Sequence, residues 1–256
     1  MSPQGETSHL FGTMHSSDPR ITRLAAPVRG ALDRANQVVL ELDLSPDTLL
    51  RSAALLMYPD QRRLSDDVPP ALLSEVRHLG GQRGLPFRVL DQMKPWAVAM
   101  TLAAPKEKQG QFLDLKLAAD ARRDGKSIVG LETPDEQLRT FNDLNLPQQL
   151  ALLRDVVDEF DSLPAFYRQL EQAYLDRDLT AILALSQQDL EKGDDGLAQQ
   201  LLVGLIDGRN LRMVERMQQP LREGDSFIAV GALHLPGPNG LLQLLKERGY
   251  HVYRVY

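Results

Sequence analysis

Residues 226–234 read SFIAVGALH and residues 10–15 read LFGTMH, and these two stretches decide the fold. Each is a short apolar run cut off by glycine, with a histidine three residues further on. Strands buried on both faces of a parallel sheet look like this: a continuous apolar run rather than an alternating one, closed by a turn residue. The signature recurs at Gln37–Leu42 (QVVLEL) and Ser127–Leu131 (SIVGL), and more weakly at Pro86–Leu90 (PFRVL). The last six residues, His251–Tyr256 (HVYRVY), alternate and are expected as a closing strand, after a helix over 241–248 that stops at Gly249.

Between these runs the pattern turns helical. Ala25–Ala35 fits a helix with Pro27 near its start, and Gln111–Arg123 fits another. From Ser45 to about Gln109 several helical pieces are broken at Pro59, Pro69-Pro70, Gly80-Gly81 and Pro95. From Asp135 to Gln219 nearly everything is helix-compatible, with breaks at Pro147, Pro164 and Gly193. Short strands alternating with helices predict an α/β fold: a central, mainly parallel sheet flanked by helices, with a large helical insertion or cap. The expected organisation is one domain over 1–256, with cap segments over about 45–109 and 135–200.

Composition narrows the function. The 256 residues are 43% hydrophobic, enough for a substantial core. A net charge of -6, with no basic run longer than two residues, argues against nucleic acid as a partner. The absence of cysteine removes thiolate zinc sites, disulfides and thiol nucleophiles together. No apolar run approaches the roughly 20 residues of a transmembrane span. Residues 1–7 are polar, without a secretory apolar core, yet a strand begins almost at once at Leu10; a mature chain whose leader has been removed would read this way.

Chemistry-bearing side chains gather at the ends of the expected strands. The first leads to Gly12 and His15, the second carries Glu41 and then Asp43, the third leads to Glu132, and the last leads to Gly231 and His234. In open α/β sheets ligands lie beyond the carboxyl ends of the strands. Two imidazoles and two or three carboxylates placed there suit zinc, manganese or a related divalent ion. Gly12 and Gly231 would supply unusual backbone angles at sharp turns, leaving each histidine on a loop outside the core. Glu41 in so apolar a strand would need a partner, because an unpaired buried carboxylate costs several kcal/mol. Arg209-Asn210 lies in a helix-like stretch over 197–217. His9, His78 and His251 have no such setting, and Trp96 is expected in the core or on a cleft wall. Nucleophile-elbow, dinucleotide, phosphate-loop and zincin motifs are all missing from the sequence.

Six stretches resemble one family. HLFGTMHSSDP at 9–19, VVLELDL at 38–44, KPW at 94–96, GKSIVGLETPDEQL at 125–138, GRNLRM at 208–213 and FIAVGALHLPGPNGLLQLLKERGYHV at 227–252 are similar, in order and spacing, to the motifs of the TraB/GumN proteins, to which the animal Tiki proteases are related. The resemblance implies an α/β fold shared with erythromycin-esterase-like and ChaN-like proteins. It also implies a metal-dependent peptidase, manganese or cobalt being favoured, with a peptide or protein as substrate. By motif match His15 and His234 become paired histidines, Glu41 and Glu132 their acidic partners and Arg209 a basic residue. In that scheme His15, His234 and one carboxylate, such as Glu132, hold the ion. The other carboxylate acts as general base, and Arg209 stabilises an oxyanion or clamps a substrate carboxylate. Asp43, Asp114 and Asn210 are further candidates. Many relatives carry Gly-x-Asp where this chain has Phe112-Leu113-Asp114, which retains the Asp but alters its loop. Relatives commonly carry a leader, which implies a periplasmic or secreted location, with the cytoplasm as the alternative. Two other functions stay open on the same fold: a metal-independent esterase-type hydrolase in which His15 and a carboxylate activate water, and a non-catalytic protein that binds a peptide or haem.

Overall fold

The structure is a computed structural model and describes residues 1–3, 5–105, 111–190 and 195–256. Gln109 and the break expected at Gly193 lie outside the described residues. The chain divides into two compact units. One comprises the described residues of Met1–Ser45, Glu107–Thr133 and Gln169–Tyr256, the other those of Pro46–Lys106 and Pro134–Arg168. The helical residues 169–190 and 195–200 thus belong with the first unit, although they fall within the cap segment expected over 135–200.

The first unit is built on four parallel strands, β1 (His9–Thr13), β2 (Gln37–Leu40), β3 (Ser127–Gly130) and β4 (Ser226–Gly231), in the order β1-β4-β2-β3. The first and last strands of the sequence are therefore neighbours, with Gly12 paired to Val230 and Thr13 to Gly231. Strand alternation sorts the apolar side chains onto two faces. Val38, Leu40, Phe227 and Ala229 pack with Ala31 and Leu32 of the helix Ala26–Arg34 and with Leu117 and Ala121 of the helix Leu113–Arg123. Val39, Ile228 and Val230 pack on the other side with Met213 and Val214 of the helix Gly208–Arg216 and with Leu241 and Leu245 of the helix Leu241–Glu247. Helices on both faces explain why β2 and β4 read as unbroken apolar runs.

The second unit is helical among its described residues, and proline sets its punctuation. The helices Pro46–Leu56, Pro70–Gln82 and Pro95–Ala103 each begin on proline, whose missing N–H costs nothing in the first turn. The Lys-Pro-Trp stretch is structural here. Lys94 Nζ donates to the Leu55 carbonyl at 3.0 Å and to Asn142 Oδ1 at 2.7 Å, and the buried Trp96 stacks on Phe141 at 5.2 Å between centroids.

Two expected strands do not form. Pro86–Leu90 contains the short helix Phe87–Leu90; its five residues are too few to distinguish the periods, and the spacing of three from Phe87 to Leu90 buries Leu90. His251–Tyr256 alternates as a strand should, but no strand forms there. Its backbone pairs instead with Met1, His251 N–H donating to the Met1 carbonyl at 3.0 Å.

Candidate active site

Because the sheet is parallel, all four strands deliver their following residues to one edge. The ladder continues past β2 and β3: Leu131 N–H donates to the Leu40 carbonyl and Glu132 N–H to the Glu41 carbonyl, each at 2.8 Å. That fixes Glu41 and Glu132 side by side. On its other side Glu41 accepts from Gly231 N–H of β4 at 2.7 Å through Oε1.

Arg209 ties the two acids together. Its Nε donates to Glu132 Oε2 at 2.8 Å and its Nη2 to Glu41 Oε2 at 2.6 Å. Arg212, one turn further along the same helix, donates to Glu132 Oε1 at 3.0 Å. Glu132, whose side chain is wholly buried, is thus held between two guanidiniums, the partners a buried carboxylate requires. Burial opposes the charge on Glu41; the facing His234 ring, Arg209 and the Gly231 amide more than offset it and hold the carboxyl at about 2. Sequence reasoning missed Arg212. The signal was present, since Arg209, Arg212 and Arg216 recur at spacings of three and four on one helix. Arg216 uses its position to donate to the Leu131 carbonyl at 2.7 Å. Also unforeseen is the π-helical turn Val203–Asp207, directly ahead of Arg209, of a kind often found near functional sites.

His234 is in the core, not on an exposed loop: it closes the 3-10 turn Ala232–His234 and is 4% exposed. Its Nδ1 lies 2.8 Å from Asn210 Oδ1. Asn210 is itself buried and donates its amide N–H to the Asn239 carbonyl, which fixes Oδ1 as an acceptor toward the ring. The hydrogen on His234 is therefore on Nδ1, and the Nε2 lone pair faces Glu41 Oε1 at 3.7 Å, beyond hydrogen-bond length. Burial lowers the His234 pKa below its ordinary value, so the ring is neutral near pH 7.

His15 lies in a different setting. Its side chain is 77% exposed, its Nδ1 is 3.5 Å from Asp114 Oδ2, and its ring packs on Phe112 at 5.3 Å between centroids. The departure at Phe112-Leu113-Asp114 thus places an aromatic ring against this histidine. Asp114 accepts from the Thr13 hydroxyl at 2.7 Å through Oδ1, while its buried Oδ2 has no hydrogen-bond partner among the described residues. Burial raises the Asp114 pKa. Asp43 is turned to another task, accepting from Ser45 N–H at 3.0 Å in the turn after β2.

The two glycines are required by space, not by unusual angles: neither has positive φ. A Cβ on Gly12 would lie 2.9 Å from Leu235 Cδ1 and 3.1 Å from Ala232 Cα, so the two Gly-x-x-His turns pack against each other. A Cβ on Gly231 would lie 3.2 Å from Glu41 Oε1.

Both oxygens of Glu132 and both of Glu41 are taken by arginine or backbone donors. Among the described residues at this edge, His234 Nε2, the His15 ring and Asp114 Oδ2 accept no hydrogen bond. Among the described residues, no three His, Asp or Glu side chains gather as a metal site would require. This arrangement does not fit a three-ligand protein cage for a divalent ion.

The fold is thus a parallel α/β sheet that presents a buried histidine, two carboxylates and an arginine clamp at its carboxyl edge. The chain belongs to the TraB/PrgY/gumN family, whose sequence model matches residues 1–254. It is 27% identical over 298 residues to the Danio rerio protein named metalloprotease TIKI2, covering 96% of this chain and 58% of that one. It is 26% identical to human metalloprotease TIKI1, at 96% and 59% coverage. It is 24% identical over 250 residues to the Escherichia coli K12 protein YbaP, at 95% and 89% coverage. The chain thus spans somewhat over half the length of the TIKI relatives. No solved structure matches. Among the described residues no helix is long and apolar enough to cross a membrane.

Proposed function

We propose that this protein is a hydrolase of peptide or protein substrates in which His234 activates the attacking water. The observation that carries this is the His234 ring, held in one tautomer by Asn210, neutral, and presenting Nε2 toward the charged Glu41. A neutral imidazole with its acceptor nitrogen open is suited to take a proton from water as that water attacks a carbonyl carbon. The orienting contact on Nδ1 comes from Asn210, and the nearby Glu41 carboxylate stabilises the imidazolium through space; the imidazolium then returns the proton to the departing amine as the C–N bond breaks. Arg209 serves this scheme as a positioning residue: it holds Glu41 ionised and in place. Substrate class follows from the metalloprotease names of the TIKI relatives.

The second reading is a metal-dependent form of the same hydrolase. It is favoured by those names and by Asp114 Oδ2, buried beside His15 without a hydrogen-bond partner among the described residues. A peptide-library cleavage assay with and without EDTA, beside elemental analysis of the purified protein, separates the two. The first expects cleavage that EDTA leaves unchanged. Cleavage abolished by EDTA and restored by manganese or cobalt establishes the second. An absence of cleavage under both conditions refutes the hydrolase assignment.

A further inference from the structure

β1 is an edge strand, paired on one side by β4. Beside it lies a cavity of about 510 Å³, within the size range of small-molecule sites. None of the site residues discussed above (His15, Glu41, Asp114, Glu132, Arg209, His234) lines it. Its walls are drawn from both faces of the sheet: Phe11, Val28 and Phe227 on one side, Leu235, Leu245 and Tyr250 on the other. Tyr174 anchors one wall by donating its hydroxyl to the Gly12 carbonyl at 2.7 Å. The C-terminal stretch that failed to form a strand runs past this cavity, with Tyr253 and Val255 more than 60% exposed. Apolar side chains left in solvent beside an apolar hollow mark a binding surface.

The charge of the lining is one-sided. In a chain of net charge -6, the charged side chains around the cavity are Arg20, Arg23, Arg177, Lys246 and Arg254, with no Asp or Glu among the described lining residues. Three of these have partners: Arg20 pairs with Asp18, Arg254 donates to the Tyr256 carbonyl, and Arg177 lies over the Tyr256 ring at 3.6 Å. Arg23 and Lys246 are exposed at the rim and make no ion pair among the described residues. An apolar interior with uncompensated cations at its mouth is complementary to one kind of ligand.

We propose that this cavity is a second, non-catalytic site for an amphiphile with one apolar chain and an anionic head, the chemistry of a fatty carboxylate. The chain fills the hollow along β1, and the head is met by Arg23 and Lys246. The proposal does not depend on the hydrolase assignment, because it is tested by binding alone.

The test uses the full chain and a fluorescent anthroyloxy-stearate probe, displaced by unlabelled palmitate, hexadecanol or acetate. Palmitate is expected to displace one probe molecule per chain. Hexadecanol, which lacks the charge, should be at least about tenfold weaker, and acetate, which lacks the chain, should be inactive. The double variant Arg23→Glu/Lys246→Glu lies on the surface and should fold, as circular dichroism will check; it should weaken palmitate about tenfold, and added salt should weaken the parent protein in the same direction. Tyr253→Ser, which removes the apolar ring without adding charge, should weaken palmitate and hexadecanol alike. Equal affinity for palmitate and hexadecanol overturns the proposal, as does unchanged affinity in the folded double variant. Failure of the probe to bind, or better displacement by an extended apolar peptide than by palmitate, also overturns it.

Discussion

The two Gly-x-x-His turns are nearly the same in sequence and opposite in environment. They leave adjacent parallel strands, and Gly12 packs on Ala232 of the other turn. Yet His15 ends 77% exposed, beside an acid whose pKa burial raises, whereas His234 is buried, neutral and locked by Asn210. The difference comes from what covers each turn. After β4 the chain enters a 3-10 turn beneath the helix Gly208–Arg216, which supplies Asn210 and Arg209. After β1, whose last residue Thr13 donates to Asp114, the His15 ring meets Phe112. A shared motif therefore places two imidazoles at one sheet edge without giving them one role.

Substitutions can break this asymmetry. The largest effect is expected at the clamp on the buried side. Arg209→Met leaves Glu41 and Glu132 short of their shared cation and should cost about 3–5 kcal/mol in urea unfolding, whereas His15→Ala on the exposed side should stay within about 0.5 kcal/mol.

Acid should act on the same side. Glu41 titrates at about 2 in the folded chain, below its ordinary 4.5, so its contribution is present above 4.5 and is lost as pH falls toward 2. His234 adds a loss that starts higher: below its ordinary 6.5 the unfolded chain binds a proton that the buried ring resists. Unfolding free energies from urea titration should therefore fall steadily on acidification, by about 3 kcal/mol for Glu41 once its shift is fully lost. A flat profile from neutral to strongly acidic pH would show that neither group is coupled to folding.

Asn210→Asp sharpens the comparison through protonation. A carboxylate on Nδ1 should raise the pH at which His234 charges, moving the acid limb of the pH–rate profile upward, while His15 is unaffected. Nitrogen NMR of the ring, following its protonation, checks this without a substrate. A smaller effect than at the clamp is expected at the contact between the turns: Gly12→Ala should cost about 1–3 kcal/mol, because backbone as well as side chain opposes the added methyl.

Much of this was legible in the sequence where burial alone decides. β2 and β4 are covered on both faces, so they read as apolar runs, and the parallel sheet followed. Glu41 and Glu132 stood out as charges in or beside such runs, whereas Arg209 was singled out through the family resemblance. What could not be read depends on tertiary partners. HVYRVY has the alternation of a strand, but alternation does not supply a neighbour. Nothing in GALH shows that its histidine turns inward, and the clamp by Arg212 exists only once its helix lies over the end of β3. The glycines were rightly singled out for the wrong reason: contact distance, not backbone angle, excludes a side chain there.

The most direct test of the account is the turnover of one library-selected peptide by His234→Ala and His15→Ala, side by side with the parent protein. His234→Ala is expected to lose about 10²–10⁴-fold in kcat, the contribution of a general base. His15→Ala should keep more than about a tenth of it. Equal losses at the two positions, or a His234→Ala variant that turns over at the parent rate, would contradict it.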